Sequence, residues 1–379
     1  MIIRLAFVLL GVCLSLPGCE RETVHRQSGK IVKIGVIAPF SGPEKEWGEN
    51  GILGVKTALE IKPYLLNGDK PELILEDDKN NPELTVKALH KLATQDQVSA
   101  ILIFSDSEAV LAVVEEAEEY KIPILAMIAT HPEISSGEWI SQFSFDDTLQ
   151  GTIAALFVID ELLIEHVGVV ANEDNPHSIF LVDEFSRRFK EAGGIVERAA
   201  INKGTTDFTK FVRGFREKGL DFLYLPLDAN HVVEIEELVT KMGWDPRVMV
   251  SDGLLSRTLL QHVGKVDILD GMLLPEVYST GQPTSEYGEK AMSIFKKKFD
   301  QFGTTFSGLG CEGTSVLLAA LDRCEDTSDR ACINRTLRST NGFVGLFGKI
   351  YIGSNGKTER PVFINMINDT YLELVVKIY

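Results

Sequence analysis

No run of apolar residues in this 379-residue chain is long enough to cross a bilayer as a helix. The longest uncharged one, Leu5–Leu16, has twelve residues, whereas a hydrocarbon core about 30 Å thick needs about 20. Positive charge is scarce: 38 Lys and Arg stand against 55 Asp and Glu, a net −17. A surface of that sign repels nucleic-acid phosphates and anionic headgroups, so neither is expected as a partner. The phosphate-binding pattern G-x-x-x-x-G-K-[ST], the zinc signature H-E-x-x-H and the G-x-S-x-G nucleophile elbow are all missing. Seven histidines are scattered without ligand spacing, so neither a metal site nor a cofactor is expected. Of five cysteines, Cys311 has no base nearby in sequence that would make it a nucleophile. The acid pair Asp77-Asp78 falls on a strand, where neighbours point to opposite faces and do not cooperate. An enzyme is not the expected reading.

The apolar stretch near the amino terminus follows Arg4 and ends in Leu16-Pro17-Gly18-Cys19. Its length suits the apolar region of a secretory signal. The ending resembles a bacterial lipobox, in which Cys19 is lipidated and becomes the first mature residue; an ordinary signal with an incidental cysteine is the alternative. The expected organisation is a signal peptide over 1–18 and a lipid-anchored tether over 19–30, with the protein periplasmic or extracytoplasmic. Loss of 1–18 leaves 37 cationic residues against 55 acidic ones, a net −18. About 360 residues remain, enough for two domains. Cys324 and Cys332 flank a polar heptapeptide that reads as a helix–helix connection. Export permits a disulfide there, which would stabilise the fold by about 2–3 kcal/mol. Cys311 is then expected to pack as a small apolar group.

From Ile31 short apolar runs alternate with helical segments. Strands are expected at Ile31–Ala38, Glu72–Asp77, Ala100–Phe104 and Ile124–Ala129, with helices at Trp47–Lys62, Pro82–Thr94 and Glu108–Tyr120. This βα rhythm is that of a parallel sheet covered on both faces. It restarts with strands at Val167–Ala171, Ile195–Ala200, Phe222–Leu227 and Val248–Ser251, and helices at His177–Ala192, Thr206–Glu217 and Val232–Lys241. The rest, with helices at Tyr287–Phe302 and Glu312–Arg323 and strands at Gly348–Ile352 and Val362–Ile367, completes neither unit alone. It is expected to return and finish both. The expected fold class is α/β: two doubly wound parallel-sheet lobes joined by a three-stranded hinge. Residues 31–145 plus 275–350 form the first lobe, and 146–274 plus 351–379 the second.

Ligands of such sheets sit beyond the carboxyl ends of the strands. Four loops qualify. One carries Ser41, Gly42 and Trp47; a second carries Ser105 and Ser107; a third runs through Ile128, Ala129 and Thr130; the second lobe offers Asp228 and Asp252. Hydroxyls and free N–H groups at a helix start suit a carboxylate, and an acid suits an ammonium. Each has a plainer reading: Ser105, Ser107 and Thr130 as helix caps, Asp252 as a turn residue before Gly253, Trp47 as a core aromatic.

The segments Lys33–Pro43 (KIGVIAPFSGP) with Trp47-Gly48, Ile122–Glu133, Leu220–Tyr224 and Phe347–Asp369 with Asn355-Gly356-Lys357 carry a resemblance over Ile31 to the C-terminus. The chain resembles the branched-chain amino acid (Leu/Ile/Val) type of periplasmic binding protein of ABC importers, in its lipoprotein form. The resemblance implies a type I periplasmic binding fold and capture of an amino acid or similar small polar metabolite by hinge closure. The partners it implies are a permease in the inner membrane and, through the lipid, the membrane itself. A ligand-sensing receptor or regulatory subunit on the same fold is the alternative. Carried over by position, Trp47 covers the ligand. Ser107, or Ser105 under a shifted alignment, and the clamp Ile128-Ala129-Thr130 take its carboxylate, and Asp252 takes its ammonium. Asp228 stands where the family often has an aromatic, and Pro176 and His177 stand where an aromatic lid is common.

Overall fold

The computed structural model describes residues 29–253, 266–279, 285–299, 304–368 and 371–378. The signal peptide, Cys19 and nearly all of the tether lie outside the described residues. The chain opens with β1 (Ile31–Ala38), α1 (Lys45–Ile61), β2 (Lys70–Asp77), α2 (Pro82–Thr94) and β3 (Ala100–Ile103). It continues with α3 (Ser107–Leu111), α4 (Val114–Tyr120), β4 (Ile124–Ala126) and β5 (Ile140–Gln142). The five strands form a parallel sheet in the order β2-β1-β3-β4-β5. Ala100–Ile103 is buried throughout, as a strand covered by helices on both faces must be. Where one helix was expected over 108–120 there are two, because Ala112 and Val113 interrupt the ladder between α3 and α4.

The second unit runs through α5 (Asp147–Leu156), β6 (His166–Asn172), α6 (Pro176–Glu191), β7 (Ile195–Ile201) and α7 (Thr209–Glu217). It goes on through β8 (Phe222–Leu225), α8 (Ala229–Lys241), β9 (Arg247–Val250) and β10 (Leu273–Glu276). The chain then returns to the first lobe with α9 (Glu286–Phe299), α10 (Thr305–Leu321) and α11 (Arg330–Leu337). A small antiparallel sheet of β11 (Phe343–Val344), β12 (Lys349–Ile352) and β13 (Thr358–Glu359) follows. Finally β14 (Val362–Asn368) and β15 (Tyr371–Ile378) close the second sheet, whose order is β15-β14-β10-β9-β8-β6-β7. Strands β6 to β10 are parallel, while β14 and β15 are antiparallel additions at one edge. The second lobe is therefore a mixed sheet. The chain leaves it after Glu276, and re-enters it only at Val362.

Helix α10 anchors the returning segment by close backbone packing on α1. A methyl group on Gly54 would overlap the Ser307 carbonyl, and one on Gly310 would overlap the Gly51 carbonyl. Glycine at both sites lets the helices approach to backbone distance. The stretch Gly308-Leu-Gly-Cys-Glu-Gly313 has the letters of the dinucleotide pattern G-x-G-x-x-G. It lies inside α10 rather than on a strand-to-helix turn, and its glycines serve packing.

Cys324 and Cys332 form a disulfide with Cα atoms 6.0 Å apart between α10 and α11. Cys311 is buried and free. Its thiol is pushed up to about 12 by burial, which leaves it inert.

Three chain passages join the lobes and are cross-linked to one another. Gln142 N donates to Gly356 O at 2.8 Å, and Asn365 Nδ2 donates to Tyr278 O at 2.7 Å. Buried Glu312 on α10 pairs with Arg360 at 2.6 Å and accepts from Leu346 N. Arg360 also lies 5.4 Å from the centre of the Phe143 ring. Lys357 pairs with Asp146 at 2.5 Å.

Candidate functional site

Helix starts set the site. Asp106 caps α3 by accepting from Ala109 N at 2.9 Å, which makes Ser107 the first helical residue. Asp146 caps α5 in the same way through Leu149 N, which places Asp147 first on that helix. Asn175 accepts from His177 N and Ser178 N, and Pro176 supplies the preset φ of a first helical position. His177 is thereby held on the first turn of α6, beyond the carboxyl end of β6.

At the first lobe, Ser107 Oγ accepts from both Thr130 N and His131 N at 3.2 Å. A hydroxyl that accepts twice keeps its own proton to donate. Strand β4 ends at Ala126, so 127–130 is loop rather than strand. In that loop Ile128 is half-buried, and the Ala129 carbonyl accepts from Gln142 Nε2 at 3.4 Å. Buried Thr130 also holds the next element, for its carbonyl accepts from Asp147 N at 2.9 Å.

The second lobe answers with acids around an imidazole. His177 Nδ1 lies 3.1 Å from Asp147 Oδ2 and 3.4 Å from Thr130 Oγ1; Nε2 lies 3.8 Å from Asp252 Oδ1. Thr130 and Asp252, on different lobes, thus face one imidazole ring. Asp252 is fastened to Gln150 twice, accepting from its amide at 2.9 Å and donating its own N–H to Oε1 at 3.0 Å. Glu276, at the end of β10, accepts from Gly253 N at 3.0 Å and from Thr305 Oγ1 at 3.2 Å.

Electrostatics sort these groups. Burial pulls His177 down, but the Asp147 carboxylate, with Asp252 and Asp106 behind it, outweighs burial and lifts it to about 9. Asp252 is raised to about 6, first by burial, with His177 pulling the other way and Asp147 adding to the rise. Glu276 is raised to about 8 by burial and then by Asp252. At neutral pH the imidazole is charged, Asp252 is mostly ionised and Glu276 mostly protonated. Two buried polar atoms beside them, Asp147 Oδ1 and Tyr224 Oη, have no hydrogen-bond partner among the described residues.

The remaining sequence-predicted residues lie elsewhere. Ser105 is fully buried and donates to Asp78 Oδ2 at 2.5 Å, alongside Thr85. Asp228 caps α8, accepting from His231 N at 3.2 Å and pairing with the His231 ring. Half-buried Trp47 packs on Phe306 with ring centres 6.0 Å apart, one residue from the Thr305 that reaches Glu276. Asp147, Gln150, Tyr224 and Glu276 escaped the sequence reading. Helix α5 was not recognised, which hid Asp147 and Gln150. A carboxylate inside the apolar run Leu273-Leu-Pro-Glu-Val277 was a legible sign of a buried acid.

The sequence profile of a family described as periplasmic binding protein matches residues 31–371. An amino acid binding protein of Pseudomonas aeruginosa is 23% identical over 248 residues, covering 64% of this chain and 66% of that protein. A Leu/Ile/Val-binding protein homolog of Brucella melitensis is 21% identical over 88% of this chain and 90% of its own length. The crystal structure of a leucine-binding protein from Thermotoga maritima superposes with a TM-score of 0.83 at 26% identity, covering 92% of this chain and 98% of that one.

Proposed function

We infer the function from one premise: the chain belongs to the periplasmic binding protein family and has its type I fold, with two α/β lobes. It is a binding protein and not an enzyme. In our reading it is the extracytoplasmic solute-binding component of an ABC importer and delivers an amino acid, or a similar small polar metabolite, to a membrane permease. Relatives named for leucine, isoleucine and valine support that ligand class. Cys19 carries the lipid that tethers it to the membrane.

The observation that carries the reading is the pairing of two opposite poles on one imidazole. Ser107, with a proton left to donate, and the 128–130 loop make a carboxylate pole. Asp252, from the other lobe, makes an ammonium pole. With Asp228 engaged as a helix cap, Asp252 is the acid that holds the ligand's amine. Trp47 lies over the ligand side chain. Closure of the lobes about the three passages excludes water and strengthens both ion pairs.

A thermal-shift screen of the full chain against the standard amino acids, simple amides and small amines tests the reading. A ligand at 100 times its Kd adds about 2.7 kcal/mol of stability. The reading predicts at least one stabilising amino acid whose effect is lost in Asp252→Ala. No stabilisation by any amino acid would refute it.

A further inference from the structure

His177 is held on one side only. Its Nδ1 faces Asp147 Oδ2 at 3.1 Å and Thr130 Oγ1 at 3.4 Å. Its Nε2 lies 3.8 Å from Asp252 Oδ1, beyond hydrogen-bond reach, and that oxygen already accepts from Gln150 Nε2 at 2.9 Å. Both ring nitrogens of a protonated imidazole donate. The Nδ1 proton is spent on Asp147, and among the described residues the Nε2 proton has no acceptor at bonding distance. The charged groups facing the ring are Asp147 from α5, Asp252 after β9 and Asp106 at the cap of α3. Tyr224 of β8 stands beside the first two, and Glu276 of β10 beside Asp252. All are acids or neutral, so the ring keeps its proton at neutral pH.

We infer that His177 is a specificity-determining residue of the cleft, whose Nε2–H donates to the ligand's carboxylate from the second lobe while Asp252 takes the ammonium. The inference rests on the amino-acid reading above and deepens it. An α-amino acid carries both charges on one carbon. Inserted between Nε2 and Asp252, it replaces a loose 3.8 Å ion pair with two hydrogen-bonded ones. The carboxylate is then gripped from both lobes, by the Ser107 hydroxyl and by a cation. An amide or ester of the same amino acid lacks the charge that His177 meets, and is rejected. A neutral side chain at this position gives no such charge preference.

The test is calorimetric titration of the full chain with the tightest-binding standard amino acid and with its amide, in wild type and in His177→Gln. Wild type is expected to prefer the acid. In H177Q the affinity for the acid falls about 10–100-fold, the worth of a hydrogen bond to a charged group, while the affinity for the amide hardly moves. The ratio of wild-type to H177Q affinity cancels the titration of the ligand's own amine. It is expected to fall toward one between pH 8 and 10 as His177 loses its proton. Equal weakening for acid and amide, or a ratio unchanged with pH, overturns the inference and leaves His177 a structural residue. Comparable wild-type affinity for acid and amide overturns it without any variant. Failure of wild type to bind any standard amino acid sinks the amino-acid reading itself, and the inference with it.

Discussion

Asp252 and His177 face each other at 3.8 Å in the candidate site, and both titrate above their ordinary values, with different consequences. Asp252 must be ionised to hold an ammonium, and its unliganded carboxyl sits at about 6. Affinity for an amino acid is therefore expected to be level from pH 7 to 8. Below 6 it should fall about tenfold per unit as protonation competes with the ligand, a slope that titrations between pH 4.5 and 8 measure. Asp252→Ala leaves a buried ammonium unpaired and is expected to cost about 2–5 kcal/mol of affinity, read in the same titrations at pH 7.5. His177 acts on stability as well as on ligand choice. Its folded value of about 9 exceeds the roughly 6.5 of an unfolded histidine. The stabilisation, at most about 3 kcal/mol, is complete below about 6.5 and disappears as pH rises through 9. Urea unfolding of wild type and H177Q should differ at pH 6 and converge near pH 10; a gap independent of pH would show that the ion pair contributes nothing.

At the scale of elements, the contact between α1 and α10 decides whether the returning segment finishes the first lobe. Gly54→Ala puts a methyl against the Ser307 carbonyl, which neither helix can yield without parting. Overpacking of this kind costs about 1–3 kcal/mol or more, and a lowered Tm with ligand binding retained is the expected result. This packing was invisible in the sequence, which does not show that the glycines of α1 and α10 face each other. Period-2 and period-3.6 apolar patterns did mark most of the parallel strands and their helices, with α2 matching from Pro82 to Thr94. Short elements fared worse. Strand β5 has three residues and β10 four, too few to show a period. Helix α5 begins in paired acids and reads as loop until its cap is seen. The candidate site was legible as a set of loops that each follow a clear strand, those of Ser107, Thr130 and Asp252. It was not legible in which hydroxyl turns outward: Ser105 and Ser107 are two residues apart, and only the fold shows that Ser105 is given to Asp78. The adjacent acids Asp146 and Asp147 likewise divide, one capping α5 and pairing with Lys357, the other pairing with His177.

Across the whole molecule, the three passages allow the lobes to move only as far as their shared bonds permit. Gln142, Gly356, Tyr278 and Asn365 tie the passages to one another, and Glu312 with Arg360 fixes the first-lobe end. On the proposed function, ligand capture is a hinge motion about this bundle that closes the cleft holding Ser107 and Asp252, rather than a separation of domains. Small-angle scattering is expected to show a smaller radius of gyration when a tight-binding amino acid is added, and no change in Asp252→Ala at the same ligand concentration. The acidic net charge keeps the surface solvated.

A crystal structure of the full chain grown with its tightest-binding amino acid tests the central claim most directly. The account predicts one ligand molecule between the lobes, its carboxylate within hydrogen-bond distance of Ser107 Oγ and its ammonium against Asp252. A ligand bound with those ends reversed, or bound away from both residues, would contradict it.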